Sequence, residues 1–332
     1  MKSLYFERYG GSEVLSLREV RKPVPETGQV LVKVHSASVN PLDWRLMRAD
    51  PFLLRFAFGL FRPKSKCLGV DFSGSVEAVG PEVEEIEPGE AVFGVVSPGL
   101  TGSFAEYITV SGEVLVSKPD SISHQQASTL GVAALTGYQG IHDYHQIESG
   151  DRVLINGASG GTGTFAVQMA KALGGHVTAV CSGRNRQLVR GLGADEVIDY
   201  QKVDLLGVGH RFDLIFDAIG NHPPKRMKRL LREGGRLVLV SASSGTGFIK
   251  AMAISRNKKE PVDLILDLKK DRRRLQSVLG LLEAGKIRPV IDREYPFEEI
   301  IQAIEYVATK RARGKVVVNI VHPEEPNIEG AG

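Results

Sequence analysis

The sequence predicts an α/β fold in which a β-rich N-terminal part is joined to a doubly wound parallel sheet. The chain has 332 residues, which is too long for one ordinary hydrophobic core and indicates two domains, or one domain with a large partner. Residues 1–120 carry short β-branched runs separated by Gly, Pro and acidic residues, whereas strand-like and helical runs alternate from about residue 124. Such alternation is typical of a parallel sheet with helices on both faces.

The N-terminal part is predicted to form a compact antiparallel barrel or sandwich. Its clearest strand candidates are Val30–Val34 and the segment Gly69–Val79, both rich in branched apolar residues. Turn signals such as Pro81-Glu82 follow these segments at short intervals. Short strands with frequent turns favour antiparallel pairing over the crossover connections that a parallel sheet needs.

The second part is predicted to continue as alternating strands and helices. The strands are Arg152–Asn156, His176–Cys181, Glu196–Asp199, Phe212–Asp217 and Arg236–Ser241, and the helices are Thr164–Leu173, Arg186–Leu192 and Pro224–Arg232. The C-terminal part adds helices Leu275–Ala284 and Tyr295–Val307 and a last strand, Gly314–Ile320. The tail from about residue 323 has little apolar surface and is predicted to be disordered.

Composition excludes several classes of protein. The net charge of +3 is spread along the chain, so it does not indicate nucleic-acid binding. No apolar run reaches the roughly 18 residues of a membrane span, and charges interrupt the N-terminus too early for a secretory signal. Two cysteines do not suffice for a disulfide scaffold. These observations predict a reduced, cytoplasmic protein.

The most specific motif is the glycine-rich run Gly157-Ala158-Ser159-Gly160-Gly161-Thr162-Gly163. It follows a predicted strand and opens an apolar helix, and a second predicted strand completes the βαβ unit. That context is the one that a dinucleotide-binding turn requires. Glycines allow a tight turn and close approach to a pyrophosphate, and the helix N-terminus attracts its negative charge. The alternative is a glycine-rich connection that serves only packing, but such a connection would not require a strand before it and a helix and a second strand after it.

The residues after the second strand favour NADPH over NADH. An NAD site usually has Asp or Glu at the end of that strand to bind the ribose 2′-hydroxyl. No acidic residue lies between Asp151 and Asp195, and the strand is followed by Ser182 and Arg184. A hydroxyl and a guanidinium suit a 2′-phosphate. Arg184 is therefore a candidate cofactor residue, while Arg186 is as readily interpreted as a solvated charge.

At this point the sequence resembles the medium-chain dehydrogenase/reductase superfamily. It is most similar to its zinc-free quinone oxidoreductase branch, and especially to the reticulon-interacting-type reductases. The resemblance covers about residues 2–321 and is carried by segments in a fixed order: Ser38–Trp44, Gly69–Val76, Leu135–Tyr138, Gly157–Gly163 with Val180–Ser182, Leu192–Tyr200, Gly285–Val290 and Arg313–Val317.

The resemblance implies a Rossmann domain and a GroES-like β-barrel catalytic domain. The implied boundaries are residues 1–123 and 286–332 for the catalytic domain and 124–285 for the Rossmann domain, with the active cleft between them. Zinc-dependent relatives hold the metal at positions that match Asn40, Val70 and Val132 here. Because valine cannot bind a metal and an amide is a poor zinc ligand, we expect no metal site. A substitute site from His35, Asp43 and Asp71 has no supporting ligand spacing.

The first loop of the signature supplies the candidate catalytic residues Asn40, Asp43 and Trp44. The Asn40 amide is expected to orient the nicotinamide or to bond a substrate oxygen, although a loop amide that satisfies the backbone is the alternative. Asp43 is either an acid, if burial raises its pKa, or a helix cap. Trp44 lies in the core or forms a wall of the cleft. Water is an alternative proton source.

Further cofactor contacts are expected at Asn40, Thr136, Tyr200, Ser241 and Lys315. The Thr136 hydroxyl is placed to bond the nicotinamide carboxamide, or it bonds back to a helix carbonyl. The resemblance puts Tyr200 near the 2′-phosphate, with a core tyrosine as the alternative. It puts Lys315 close to the cofactor, with a surface charge as the alternative. Ser241 ends the last predicted strand of the Rossmann domain.

The segment 51–63 contains several Phe and Leu residues and allows three interpretations. It is a helix packed on the catalytic domain, an apolar lid over the substrate, or a contact for a membrane or lipid quinone.

The function predicted from the residues and the resemblance is zinc-free hydride transfer from NADPH to a quinone, enone or other small carbonyl. The alternatives are a zinc-independent alcohol or aldehyde dehydrogenase and a non-catalytic NADPH-binding scaffold or sensor. The resemblance also allows a homodimer.

Overall fold

The computed structural model describes residues 1–96, 102–240, 245–257, 259–265 and 272–321. Within these ranges the chain forms a six-stranded and a seven-stranded sheet, with a separate two-stranded ribbon. No helix in these ranges has both the length and the apolar composition needed to cross a bilayer. The expected cofactor contact Ser241 and the tail predicted to be disordered from residue 323 lie outside the described residues.

The N-terminal part is mainly antiparallel, as its short runs predict. A long strand at its centre pairs with two later strands of the same part, and the first two strands form the ribbon. The elements are β1 (Lys2–Tyr5), β2 (Ser16–Glu19), β3 (Gln29–Val39), α1 (Pro41–Arg48), α2 (Leu54–Phe58), β4 (Asp71–Val79), β5 (Ala91–Val95), β6 (Tyr107–Ser111) and β7 (Leu115–Ser117).

The middle part forms the predicted parallel sheet. Its elements are α3 (His124–Ser128), α4 (Val132–Tyr138), β8 (Arg152–Asn156), α5 (Gly161–Ala172), β9 (His176–Cys181), α6 (Arg186–Gly191), β10 (Glu196–Asp199), β11 (Phe212–Asp217), α7 (Pro224–Met227), β12 (Leu231–Leu239), α8 (Gly245–Ser255) and β13 (Val262–Leu264). The strand order is β10-β9-β8-β11-β12-β13, and every pair is parallel. This is the Rossmann order, and the chain reverses direction across the sheet between β8 and β11.

The C-terminal part returns to the first sheet. Its elements are α9 (Arg272–Glu283), β14 (Ile291–Pro296), α10 (Ile300–Ala308) and β15 (Lys315–Asn319). The order of the seven-stranded sheet is β14-β15-β3-β4-β5-β7, with β6 paired to β3. The two ends of the chain therefore build one domain around the Rossmann insertion, and this confirms the predicted fold class. The expected boundaries at residues 124 and 286 stay a prediction.

Two predicted helices differ from the observed ones because residues at their ends pair with a neighbouring strand. The helix predicted over Pro224–Arg232 ends at Met227, because Leu231 already pairs with Phe212 at the start of β12. The helix predicted from Tyr295 begins later, because Tyr295 and Pro296 pair with β15. Strand β13 was not predicted, since three residues are too few to show a periodicity.

Candidate active site

The glycine-rich turn lies between β8 and α5, beside the point where the Rossmann sheet reverses. Gly157 has φ +85°, a conformation that favours glycine, and a Cβ on Gly163 would lie 2.1 Å from the carbonyl oxygen of Gly157. The first turn of α5 has no side-chain cap among the described residues, so its backbone N–H groups face the turn. These features fit the pyrophosphate of a nicotinamide dinucleotide.

The turn packs directly against the catalytic domain. The N–H of Gly314 donates to the carbonyl of Ser159 at 3.0 Å, and Gly160 and Gly314 form an isolated parallel bridge. A Cβ on Gly161 would lie 3.0 Å from Cδ of Lys315, the first residue of β15. The side chain of Lys315 therefore runs along the glycine turn and carries its charge from there toward the first loop.

The Lys315 ammonium lies within a cluster of polar protein groups. Its Nζ donates to Oδ1 of Asn40 at 2.6 Å and contacts Oδ2 of Asp71 at 3.3 Å and the carbonyl of Val39 at 3.4 Å. Lys315, Asn40 and Asp71 are all buried. Burial lowers the pKa of Lys315, and the neighbouring carboxylates Asp71 and Asp43 oppose that shift. The alternative of a surface charge at Lys315 is thus wrong.

The same contacts determine which way the Asn40 amide points. An ammonium only donates, so the atom beside Lys315 is the Asn40 oxygen, and a carboxylate only accepts, so the atom beside Asp71 is the nitrogen. That nitrogen donates to Asp71 Oδ2 at 2.8 Å and to the carbonyl of Ser38 at 3.3 Å. Both Asn40 N–H hydrogens are therefore used, so Asn40 can meet a ligand only as an acceptor, through Oδ1.

Asp71 and Asp43 occupy different surroundings within the cluster. Asp71 also accepts from the Ser38 hydroxyl at 3.0 Å and from the N–H of Val132 at 2.8 Å. Asp43 accepts from the N–H of Asn40 at 2.7 Å and from that of Gly69 at 3.2 Å, which closes a capping box at the start of α1. Burial raises the pKa of Asp43 to about 7, and these backbone N–H groups oppose the shift.

The remaining first-loop and nicotinamide candidates, Trp44 and Thr136, are also buried. Trp44 follows Asp43 on α1, and its indole nitrogen has no hydrogen-bond partner among the described residues. Its ring belongs to the hydrophobic core, as one of the two interpretations expected. Thr136 lies buried on α4, a helix that packs against α5 near Phe165. The structure thus brings Asn40, Lys315 and the glycine turn into contact.

The candidates for the 2′-phosphate lie at the other end of the turn. Ser182 is buried at the end of β9, whereas Arg184 is exposed and donates from Nη2 to the carbonyl of Arg311 at 3.3 Å. Tyr200 has 59% of its surface exposed, so the alternative of a core tyrosine is wrong. Asn185, which the sequence analysis missed, donates from Nδ2 to Oγ of Ser159 at 2.8 Å.

Two acids beside the crevice also escaped the sequence analysis. Asp199 ends β10, and a Cβ on Gly183 would lie 2.5 Å from its Oδ2, so an acid borders the end of β9 from the next strand. Asp217 ends β11 and accepts from Asn156 Nδ2 at 2.8 Å. Each is the last residue of a predicted strand, and that position at the carboxyl end of a strand was the available signal. Their proximity depends on sheet order, which a search along the chain does not include.

The metal-ligand positions of the zinc-dependent relatives carry no ligand set here. Val70 is buried, and Val132 contributes only its backbone N–H, to Asp71. Among the described residues, no three His, Cys, Asp or Glu side chains are grouped as a metal would need. His35 lies instead against His124 in the barrel, where burial lowers the pKa of His124 to about 4.

Comparisons with known proteins agree with this architecture. Residues 26–120 match the family described as alcohol dehydrogenase GroES-like domain, and residues 192–318 match the family described as zinc-binding dehydrogenase. The structure of a quinone oxidoreductase from Coxiella burnetii superposes with a TM-score of 0.87 at 30% identity. The match covers 97% of this chain and 99% of that one.

Curated relatives extend over almost the whole chain. The mouse protein named NAD(P)H oxidoreductase RTN4IP1, mitochondrial, is 34% identical, over 97% of this chain and 89% of its own length. The tomato 2-methylene-furan-3-one reductase is 30% identical, over 96% of this chain and 79% of its own length. The chain therefore belongs to the medium-chain dehydrogenase/reductase superfamily, in its quinone oxidoreductase branch, and is an oxidoreductase that uses a nicotinamide cofactor.

Proposed function

We propose that this protein is an NADPH-dependent reductase of quinones and α,β-unsaturated carbonyl compounds. The observation that carries the proposal is the direct contact between the glycine turn and the buried Lys315–Asn40–Asp71 cluster. A dinucleotide on the turn is thereby next to a preorganised set of polar groups. The names of the Coxiella and tomato relatives support the acceptor class, because a 2-methylene-furan-3-one is an α,β-unsaturated ketone.

The bound cofactor supplies the hydride, and the chain's own residues supply position and polarity. With the cofactor bound, Gly157–Gly163 would hold its pyrophosphate, and Thr136 and Asn40 Oδ1 would accommodate its carboxamide. Because both Asn40 N–H hydrogens are already used, Asn40 acts as an acceptor toward its ligand. Trp44 supports α1 from within the core.

Lys315 is proposed as a positioning residue and a fixed positive charge. Its three N–H bonds point at Asn40, Asp71 and Val39, so it has no proton to release without breaking this cluster. Its charge lies close to where an acceptor oxygen gains negative charge, and a preorganised charge lowers the barrier there. One oxygen of Asp43 accepts from the N–H of Asn40 and the other from that of Gly69, and we propose water as the source of the proton for the reduced acceptor.

We propose that the reaction does not use zinc. Val70 and Val132 cannot bind the metal, and the Asn40 oxygen already accepts from an ammonium. A dication next to Lys315 Nζ would be repelled at short range in a buried site. The Lys315 ammonium is the cation bound to Asn40, a residue at a position that matches a zinc ligand of the zinc-dependent relatives.

The choice of NADPH depends on Ser182, Arg184 and the exposed Tyr200. Arg184 already faces outward beside Arg311, where a 2′-phosphate has access to it. Asp199 is buried and accepts from the N–H of Gln201 at 3.1 Å, so its carboxylate is partly committed to the backbone. We therefore expect the 2′-phosphate to bind Ser182 and Arg184 and not to be repelled strongly by Asp199.

The test is a screen of naphthoquinones, enones and aldehydes with NADPH and then NADH, followed by cofactor absorbance. Arg184→Ala should raise the KM for NADPH about tenfold and leave that for NADH nearly unchanged, since a charge-assisted bond is lost. Arg190→Ala, at the far end of α6, is the matched control. Equal rates with both cofactors contradict the NADPH proposal.

The alternatives correspond to other outcomes of the same screen. Turnover of aldehydes only would favour the alcohol or aldehyde dehydrogenase, and tight NADPH binding with no turnover would favour a scaffold or sensor. A cytoplasmic location and a homodimer stay predictions, and the mouse relative is named as mitochondrial.

A further inference from the structure

An exposed apolar surface follows helix α1 along the chain. Eleven large apolar side chains are exposed in the described residues, and five of them belong to the segment between residues 52 and 61. They are Phe52, Leu53, Phe56, Leu60 and Phe61, which we call the apolar patch. The exposed fractions reach 58% for Phe52, 67% for Phe56 and 87% for Phe61. Such a concentration indicates an interaction surface.

The patch is held outward by an ordered backbone. Helix α2 has no buried residue, and Phe58 is its side chain that packs on the core. The hydroxyl of Tyr9 donates to the carbonyl oxygen of Gly59 at 2.7 Å, and the N–H of Lys64 donates to the carbonyl oxygen of Phe58 at 2.8 Å. A helix does form within residues 51–63 and packs on the core through Phe58, as one interpretation expected, but its packed side is narrow and its aromatic side faces solvent.

The surroundings of the patch are strongly basic. Residues 45–66 contain Arg45, Arg48, Arg55, Arg62, Lys64 and Lys66, against the single acid Asp50. Arg48, Arg62 and Lys64 are exposed, and none of them has a carboxylate within 4.0 Å among the residues described. The Arg55 guanidinium lies 5.0 Å from the centre of the Phe52 ring, so charge and aromatic surface meet directly.

We propose that the apolar patch binds the surface of a lipid bilayer that contains anionic phospholipids. Aromatic and leucine side chains enter the boundary between headgroups and acyl chains, while lysine and arginine side chains remain with the phosphates. The uncompensated positive charge around the patch selects this occupant over an uncharged apolar partner. Helix α1, eight residues and about 12 Å long, lies along the chain between Asn40 and the patch.

Vesicle sedimentation with the full chain tests the proposal. Wild-type protein should bind vesicles made of equal parts phosphatidylcholine and phosphatidylglycerol, and bind phosphatidylcholine alone much more weakly. The triple variant Phe52→Ser, Phe56→Ser, Phe61→Ser should lose at least about tenfold in partitioning. The double variant Arg62→Gln, Lys64→Gln should lose about 25-fold, at about fivefold for each charge near an anionic surface.

The matched control is the triple variant Val24→Ser, Leu173→Ser, Val203→Ser, which replaces three exposed apolar residues elsewhere and should bind as the wild type does. Unchanged thermal unfolding shows that each variant is folded. The proposal is overturned if the wild type does not bind anionic vesicles or if the Phe variant binds them equally well. It is also overturned if the wild type dimerises through the patch and the Phe variant does not. No arm uses cofactor or acceptor, so the outcome is independent of the proposed enzymatic function.

Discussion

Replacing Lys315 by methionine is the sharpest test of the buried cluster. The substitution keeps the length and apolar stem of the side chain but removes the ammonium that contacts Asn40 at 2.6 Å and Asp71 at 3.3 Å. Removing one partner of a buried ion pair costs about 3–5 kcal/mol, because the other charge stays buried. Asp71 keeps donors from Asn40, Ser38 and Val132, so we expect the lower end, about 3 kcal/mol.

Urea unfolding measures this loss through Trp44, the only tryptophan, which is buried on α1 next to Asp43. Lys286→Met, at an exposed lysine, should change the unfolding free energy by less than about 0.5 kcal/mol. The double variant Lys315→Met, Asp71→Asn removes both charges, and its loss should be smaller than the sum of the single losses by at least about 2 kcal/mol. Additive single effects, or a Lys315→Met loss below about 1 kcal/mol, would refute the assignment of a buried ion pair.

Two further predictions concern Asp43 and the glycine turn. The pKa of Asp43 is raised to about 7, so the folded state binds the extra proton between pH 4 and 7. The stability of the wild type relative to Asp43→Asn should therefore fall as pH rises through that range, by up to about 1.4 kcal/mol per pH unit, and be flat above it. Urea midpoints at several pH values measure this difference, and a pH-independent difference would contradict it. Gly163→Ala places a Cβ 2.1 Å from the Gly157 carbonyl oxygen and should weaken NADPH binding more than tenfold in fluorescence titration. Gly280→Ala, in α9 with nothing within 4 Å of its Cβ, is the control and should not change that affinity.

The buried ammonium explains how the active site can be polar without a metal. Asn40 and Val132 match metal-ligand positions of zinc-dependent relatives, and here both are bonded to the Lys315–Asp71 pair or to one of its members. The pair is expensive to bury, and its contacts with both ends of the Asn40 amide are consistent with a role in orienting that side chain. The glycine turn also contacts the aliphatic part of the Lys315 side chain. The position of the cofactor and the orientation of the Asn40 amide therefore depend on one side chain.

The sequence by itself determined the fold class, the glycine turn and the boundaries of most Rossmann strands. Strands β8, β9, β10 and β11 coincide with the predicted ranges, because buried parallel strands have a local pattern of branched apolar residues. The glycine requirement at Gly157 and Gly163 is equally local, since it depends on φ and on contacts within the turn.

Only the tertiary structure decided how distant residues act on one another. Lys315 reaches Asn40 across 275 positions, and Asp199 borders Gly183 from a neighbouring strand, so neither contact is visible along the chain. Burial raised the pKa of Asp43, and the fold placed the N–H groups of Asn40 and Gly69 against its two oxygens. The solvent exposure of its side chains showed that the apolar patch is a surface, whereas its composition alone suited a packed helix equally well. Sheet pairing, long-range packing and solvent access set these outcomes, and local sequence does not specify any of them.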